Sequence, residues 1–479
     1  MKQLFLFVAA LVAVNLSQAQ WGPDVRLTNS PDSSITTYGY TNCIAASRDT
    51  VHVIWYDKRD GNTEIYYKRS IDGGLTWSQD NRLTIDPNRS SLPSISVSGS
   101  FVHVVWKDTR DGNNGEIYYK QSPDGGTTWG SDKRLTFDPA YSSEPSVSAI
   151  NSIVHIIWND KRDGNSEIYY KRSTDGGSTW GPDTRLTNDL ADSYNCSMAV
   201  SGQHVHVVWN DKRDGNFEIY YKQSADGGII WGQDTRLTNT SLSSQYPSIA
   251  ASGSNVHIVW SENQSAAISE IYYKQSLDDG ITWSTNTELT NEGVVSTWSN
   301  VTASGSMVHV VWQNNLNVSL SVFYKSSNDG GVNWSTETQL NDVLASSQHP
   351  SIVVSGPVLH VVWYDLRDLN YEIYYKRNPT GGFPVGIENE PGNSIGQQIR
   401  IYPNPASNIL NIVFGPSLNT KIALRFTDIF GKTFRDYRIN YLKGMEQYSL
   451  DVSNFPDGLY FIEFNNGSQI DFRKIIISK

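Results

Sequence analysis

The residues with the greatest capacity for chemistry recur as one loop. Asp57-Lys58-Arg59-Asp60-Gly61-Asn62-Thr63-Glu64 places carboxylates around a guanidinium, and the same order returns with Asp108, Arg110, Asp111 and Glu116 and with Asp160, Arg162, Asp163 and Glu167. It returns again with Asp211, Arg213, Asp214 and Glu218, and finally with Asp365, Arg367, Asp368 and Glu372. Asp and Arg suit bidentate hydrogen bonding to hydroxyls and carboxylates. With Trp and Tyr beside them to stack on a pyranose ring, the loops fit a repeated glycan site or a calcium site. A catalytic residue normally occurs once, whereas a feature present in many copies more often performs a task common to every copy. That structural reading holds Arg between Asp and Glu, with Gly allowing the turn. Catalytic residues therefore stay unassigned. Glu262, in a divergent copy of the loop, is the single acidic residue that stands apart.

The elements that must position these loops are also repeated. Valine-rich runs end in Trp55, Trp106, Trp158, Trp209, Trp260, Trp312 and Trp363, at steps of 51, 52, 51, 51, 52 and 51 residues. Each copy reads as four short strands, as in Pro93 to Val97, Val102 to Trp106, Glu116 to Lys120 and Lys133 to Thr136. Their β-branched and aromatic content favours strands over helices. His52, His103, His155, His206, His257, His309 and His360 occupy the second strand between aliphatic neighbours. They are expected as hydrogen-bonded core residues, and seven equivalent places around a ring lie too far apart to share an ion. No metal site is expected from them.

Leu-Thr endings close five copies and a Gln-Leu-Asn variant at Leu340 closes the sixth, but nothing similar follows the seventh tryptophan strand before residue 382. A spare Val25-Arg26-Leu27-Thr28 precedes the first complete copy. If it supplies the missing outer strand, the chain closes as an all-β, seven-bladed β-propeller with both of its ends in one blade and no open sheet edge. The five charged loops then form one unbroken arc. Blades five and six substitute Ser261-Glu262-Asn263-Gln264-Ser265 and Gln313-Asn314-Asn315-Leu316-Asn317.

Between third and fourth strands runs Ser70-Ile71-Asp72-Gly73-Gly74-Leu75-Thr76-Trp77, the pattern S-x-D-x-G-x-x-W. It recurs around Asp124, Asp175, Asp226, Asp278 and Asp329, and degenerates at Asn378 to Phe383. Asp accepts backbone N–H groups across the hairpin, Gly supplies a positive φ and Trp covers the blade edge. Between residues 20 and 383 the chain thus resembles the Asp-box, or bacterial neuraminidase repeat, of sialidases and of many non-enzymatic propellers. The resemblance implies that the boxes are structural and lie on the face opposite an active site. Sialidase chemistry would also need three arginines converging on one carboxylate, a tyrosine nucleophile with a glutamate, and an acid. The arginine-isoleucine-proline segment of such enzymes has no counterpart. Only Arg26, Arg48 and Arg59 precede Asp72 apart from the repeat's own Arg69.

The ends indicate export. Residues 1–19, with Lys2, an apolar run from Leu4 to Val14 and then Ser17-Gln18-Ala19, read as a secretory signal peptide. Residues 384–397 read as a linker. Residues 398–479 carry Tyr402-Pro403-Asn404-Pro405-Ala406, Leu410, Asp428-Ile429-Phe430-Gly431-Lys432 and Gly458-Leu459-Tyr460-Phe461, and end in Lys474 to Lys479. This segment resembles the type A C-terminal sorting domain of the type IX secretion system of Bacteroidetes, a small β-sandwich, and implies that machinery as a partner. The sequence offers no later apolar run long enough for a transmembrane helix. A net charge of −11 argues against a nucleic-acid partner, because that affinity comes from Lys and Arg on phosphates. Cys43 and Cys196 read as small buried hydrophobes. The expectation is a protein secreted or attached to the outer cell surface that binds glycans or surface glycoproteins. The alternative is an exo-acting glycoside hydrolase of sialidase type.

Overall fold

A computed structural model describes residues 21–381 except 38–40, 113, 266, 316–318 and 342–345, and in the C-terminal part residues 399–402, 406–414, 422–428, 433–439, 447–456, 458–465 and 470–477. The signal-peptide and linker assignments lie outside the described residues. Every described element is a strand. Seven sheets form the larger part, six of four strands and one of five, because the inner strand of blade one is broken into Ser34–Ile35 and Ile44–Ser47. Blade three shows the standard unit: inner strand Ser142–Ile150, second strand Ile153–Asp160, third strand Glu167–Ser173 and a two-residue outer strand Thr184–Arg185. Inner strands pack successively around an axis, and Ser347–Ser355 of blade seven meets Ile44–Ser47 of blade one to close the ring.

Closure takes the expected route. Val25–Arg26 pairs with the third strand of blade seven, Val25 opposite Tyr375 and Arg26 opposite Tyr374. The N-terminal segment brings more than a strand. Trp21 meets Tyr324 of blade six edge-on at 5.0 Å, as box tryptophans elsewhere meet the tyrosine of the preceding blade, Trp180 on Tyr119 at 4.9 Å for instance. Blade seven, with its degenerate box, thus borrows both outer strand and tryptophan.

The core lies between blades rather than within them. Val105, Ile117 and Tyr119 of blade two interleave with Val147, Val154, Ile156 and Trp158 of blade three. Each fully buried side chain of this kind contributes about 1.5–3 kcal/mol, so stability is distributed around the ring. The boxes lock neighbours in register. Asp175 accepts the backbone N–H of Thr179 at 2.8 Å and the hydroxyls of Thr179 and Ser173, both at 2.7 Å. Gly177 at φ +87° lies against the Tyr119 hydroxyl of blade two, where a Cβ would collide. The repeated histidines are buried and hydrogen-bonded as expected, His155 Nδ1 lying 2.8 Å from the Tyr170 hydroxyl. Cys43 and Cys196 are free and buried.

The C-terminal part holds a three-stranded sheet (Ile399–Tyr402, Ile409–Phe414, Gln447–Asp451) and a four-stranded one (Thr433–Ile439, Ile422–Asp428, Gly458–Asn465, Ile470–Ile477). Leu410, Ile412 and Leu450 of the first share a core with Leu424, Phe426, Ile462, Phe464 and Ile475 of the second, the packing of a small β-sandwich.

Candidate functional site

Second-to-third-strand loops and the starts of the inner strands lie at one end of the blades, and the Asp boxes at the other. At the loop end the first aspartates, Asp57, Asp108, Asp160, Asp211 and Asp365, are buried. Asp160 accepts hydrogen bonds from the Trp158 indole at 2.8 Å, the Ser142 hydroxyl at 3.0 Å, the Arg162 backbone at 3.0 Å and the Arg162 guanidinium at 2.6 and 2.9 Å. Burial alone would raise its pKa, but these donors hold it below the usual carboxylate range.

The arginine does not sit between Asp and Glu as the loop order suggested. Arg162 bridges Asp160 and Asp183, the latter at 2.7 Å, and stacks 4.3 Å from the Tyr169 ring centre. Glu167 instead binds the outer strand, accepting from Arg185 at 2.8 Å and from the Thr187 hydroxyl. Arg59, Arg110, Arg213 and Arg367 repeat the clamp on Asp80, Asp132, Asp234 and Asp24. The second aspartates, Asp60, Asp111, Asp163, Asp214 and Asp368, take tyrosine hydroxyls and outer-strand arginines and remain a quarter to a third exposed. The first aspartates are therefore satisfied within each blade and their arginines are committed to carboxylates there, although the Nε of Arg59 and of Arg367 is buried without a hydrogen-bond partner among the described residues. Glu262 takes the clamp position of blade five without an arginine. It accepts from Trp260 at 3.2 Å, and burial pushes its carboxyl above the ordinary range.

A second set of residues at the same end, not singled out in the sequence, has the opposite character. Each inner strand of blades two to seven slips register near its start, Ser143 to Ser146 in blade three. The slip is a bulge whose residue is left-handed: Leu92, Glu144, Asn195, Tyr246, Trp298 and His349, with φ between +48° and +57°. Such a backbone costs non-glycine residues about 1–3 kcal/mol and concentrates at functional sites. No two blades share the residue. These positions sit on the strands nearest the axis, at the mouth of the ring. The Tyr246 and His349 backbone N–H groups are held by Asn210 Oδ1 at 3.3 Å and Gln313 Oε1 at 2.9 Å of the preceding blades.

In blades five to seven, two of which lack the clamp, the bulges build a continuous aromatic arc. Tyr246 and Trp298 stack at 4.0 Å, Trp298 and His349 lie at 4.7 Å, and His349 meets Tyr364 edge-on at 5.3 Å. Tyr364 continues to Tyr371 at 5.0 Å. Glu144, three blades from Trp298, accepts from Asn159 at 2.6 Å. Its charge adds to burial in raising the phenols of Tyr194 and Tyr246. Burial pushes the His349 imidazole down to about 4, so it is neutral at neutral pH. The signal that could have revealed this set is proline: Pro93, Pro145, Pro247 and Pro350 each follow a bulge residue, and proline inside a strand pattern marks an interruption.

Residues 8–258 match the family described as BNR repeat-like domain. Residues 400–478 match the secretion system C-terminal sorting domain, which assigns the chain to type IX secretion, to the cell surface or the extracellular space. No curated protein matches the chain. Among solved structures, the polysaccharide lyase PL25 ulvan lyase is 12% identical, with 74% of this chain and 95% of the lyase covered at a TM-score of 0.56. Polysaccharide lyase Uly1 is 9% identical, with 75% and 99% covered at 0.52. A mutant of Trypanosoma rangeli sialidase displaying trans-sialidase activity is 10% identical, with 96% and 90% covered at 0.45. For the two lyases, likeness at such identities describes a shared fold. With more than half of its length matched to that one family, the chain belongs to the BNR repeat-like domain family.

Proposed function

We propose that this protein binds glycans at the mouth of the propeller, as a secreted or surface-attached module exported by type IX secretion. The observation that carries the reading is the aromatic arc in which Tyr246, Trp298 and His349, each on a strained bulge whose residue differs from blade to blade, run on to the buried Tyr364 of the neighbouring second strand. Flat rings beside amide and hydroxyl groups suit the apolar face and the hydroxyl edge of a sugar. Propellers of this fold among the polysaccharide lyases act on polysaccharides, which supports glycans as the ligand class. A glycan microarray with the mature chain, run with calcium and again with chelator, tests it. Selective binding that Trp298→Ala removes is the expected result. Binding to no glycan, or binding indifferent to Trp298, contradicts it.

One observation favours the runner-up, an exo-acting glycoside hydrolase of sialidase type. The Glu144 carboxylate lies within electrostatic reach of Tyr246 and Tyr194, and a carboxylate with a phenol is the nucleophile pair of that chemistry. Against it, the loop arginines are committed to aspartates. Release of free sugar from a glycan that the array identifies, abolished in Glu144→Gln, would favour hydrolysis over binding.

A further inference from the structure

A different cluster lies at the opposite end of the blades, between blades four and five. Two departures from the repeat meet there. The second strand of each blade opens with Thr50, Phe101, Ile153, Asn255, Met307 or Val358, but blade four opens with His204, two residues before the repeat's own His206. In the boxes, the residue after the conserved aspartate is Gly73, Gly125, Gly176, Gly227 or Gly330, all at positive φ, but blade five has Asp279 there. Asp279 keeps the left-handed backbone at φ +59°, where an L side chain is disfavoured. A glycine would fit this turn better, so the carboxylate is retained at a conformational cost.

These residues bring one donor atom each to within 4.8 Å of one another. His204 Nδ1 and Asp279 Oδ1 are 3.9 Å apart, too far for a hydrogen bond. The His204 and His206 rings lie nearly parallel, 16° apart with centroids at 6.1 Å. His204 Nδ1 and His206 Nε2 are both buried with no hydrogen-bond partner. His206 Nδ1 lies 2.7 Å from the Tyr221 hydroxyl, which donates in turn to the Asp279 carbonyl at 3.3 Å. That relay leaves Nε2 as the open nitrogen of His206 and fixes its ring through a second hydrogen bond, as metal-ligating histidines are fixed. The tyrosine support is common to the blades, so His204 and Asp279 alone convert an ordinary core histidine into part of a chelating set.

We infer that His204, His206 and Asp279 form a divalent transition-metal site, of zinc type, joining blades four and five. Two imidazole nitrogens and one carboxylate oxygen suit zinc over calcium or magnesium, which take oxygen ligands. Zinc bonds of about 2.0–2.2 Å would draw the donors to roughly 3.3 Å from one another. The partly exposed His204 and Asp279 side chains can make that movement around the fixed His206. Three protein ligands leave the fourth position to water. The ion would tie the Asp-box hairpin of blade five to the second strand of blade four, away from the sugar-binding mouth.

Calorimetric titration of Zn²⁺ into the full mature chain, free of any histidine tag and previously stripped with chelator, tests this. One ion bound per chain, with a higher thermal midpoint in its presence, is expected. Asp279→Gly restores the residue of the other boxes and relieves the backbone, so this variant folds. It should lose affinity by more than about 100-fold, and His204→Thr likewise. A wild-type chain that binds no Zn²⁺, or an Asp279→Gly chain that binds it as the wild type does, overturns the inference.

Discussion

The charged loops and the mouth of the ring lie at the same end of the blades and differ in every respect that bears on function. The loops repeat nearly unchanged in five blades, and their first aspartates are buried and saturated by Trp, Ser and Arg donors of the same blade. The mouth residues are Leu, Glu, Asn, Tyr, Trp and His in successive blades, each held left-handed. Repetition with internal satisfaction marks a clamp that serves the blade itself, in the five blades that carry it. Variation on a strained backbone marks the positions released from that task and available for recognition.

The broadest way to probe the repeated part is acid. Burial lowers His52, His103, His155, His206 and His257 to about 4, and His309 and His360 to about 3. Between those values and the unfolded value near 6.5, the unfolded chain binds more protons than the native one. Stability is therefore complete above about pH 6.5 and falls as pH drops toward about 4, opposed by Glu116, Glu262 and Glu337, whose carboxyls burial raises. Thermal midpoints at a series of pH values should decline through that window. A flat profile would mean the histidines are not buried neutral. All 15 tryptophans lie between Trp21 and Trp363, so their fluorescence reports the propeller alone.

Arg162→Ala comes next in size. It leaves Asp160 buried without its guanidinium, and because Arg162 retains 18% exposure the loss should fall near the lower end of the usual range, about 3 kcal/mol, in urea unfolding. Trp298→Ala should lower glycan affinity by about 30-fold, near 2 kcal/mol, with a smaller change in the unfolding midpoint. Asp163→Asn touches a partly exposed pair with Arg185 and should shift stability by less than about 1 kcal/mol. If Arg162→Ala left the midpoint unmoved while reducing glycan affinity, the two regions would have to exchange roles.

The propeller was legible because its markers repeat: tryptophans at a fixed step, six Asp boxes and a spare outer strand at the N-terminus. Even the borrowed Trp21 is visible in hindsight, since Trp21 to Thr28 parallels Trp77 to Thr84 in spacing. The clamp was legible in composition but not in pairing, because Asp80 and Asp183, which complete it, lie beyond the Asp box, 21 residues from Arg59 and Arg162. The mouth was hidden for the reason that makes it informative. A bulge is set by a register slip, and its residue changes from blade to blade, so only the prolines after Leu92, Glu144, Tyr246 and His349 betray it, and nothing marks Asn195 or Trp298. His204 and Asp279 were equally readable as departures from consensus, but their meeting required the ring to be assembled.

The most direct test of the division between clamp and mouth is a paired titration of one array-identified glycan against the wild-type chain, Trp298→Ala and Asp163→Asn. We expect Trp298→Ala to lose about 30-fold in affinity and Asp163→Asn to bind within about twofold of wild type. The reverse order, with Asp163→Asn impaired and Trp298→Ala unaffected, would place recognition on the repeated loops and contradict the account.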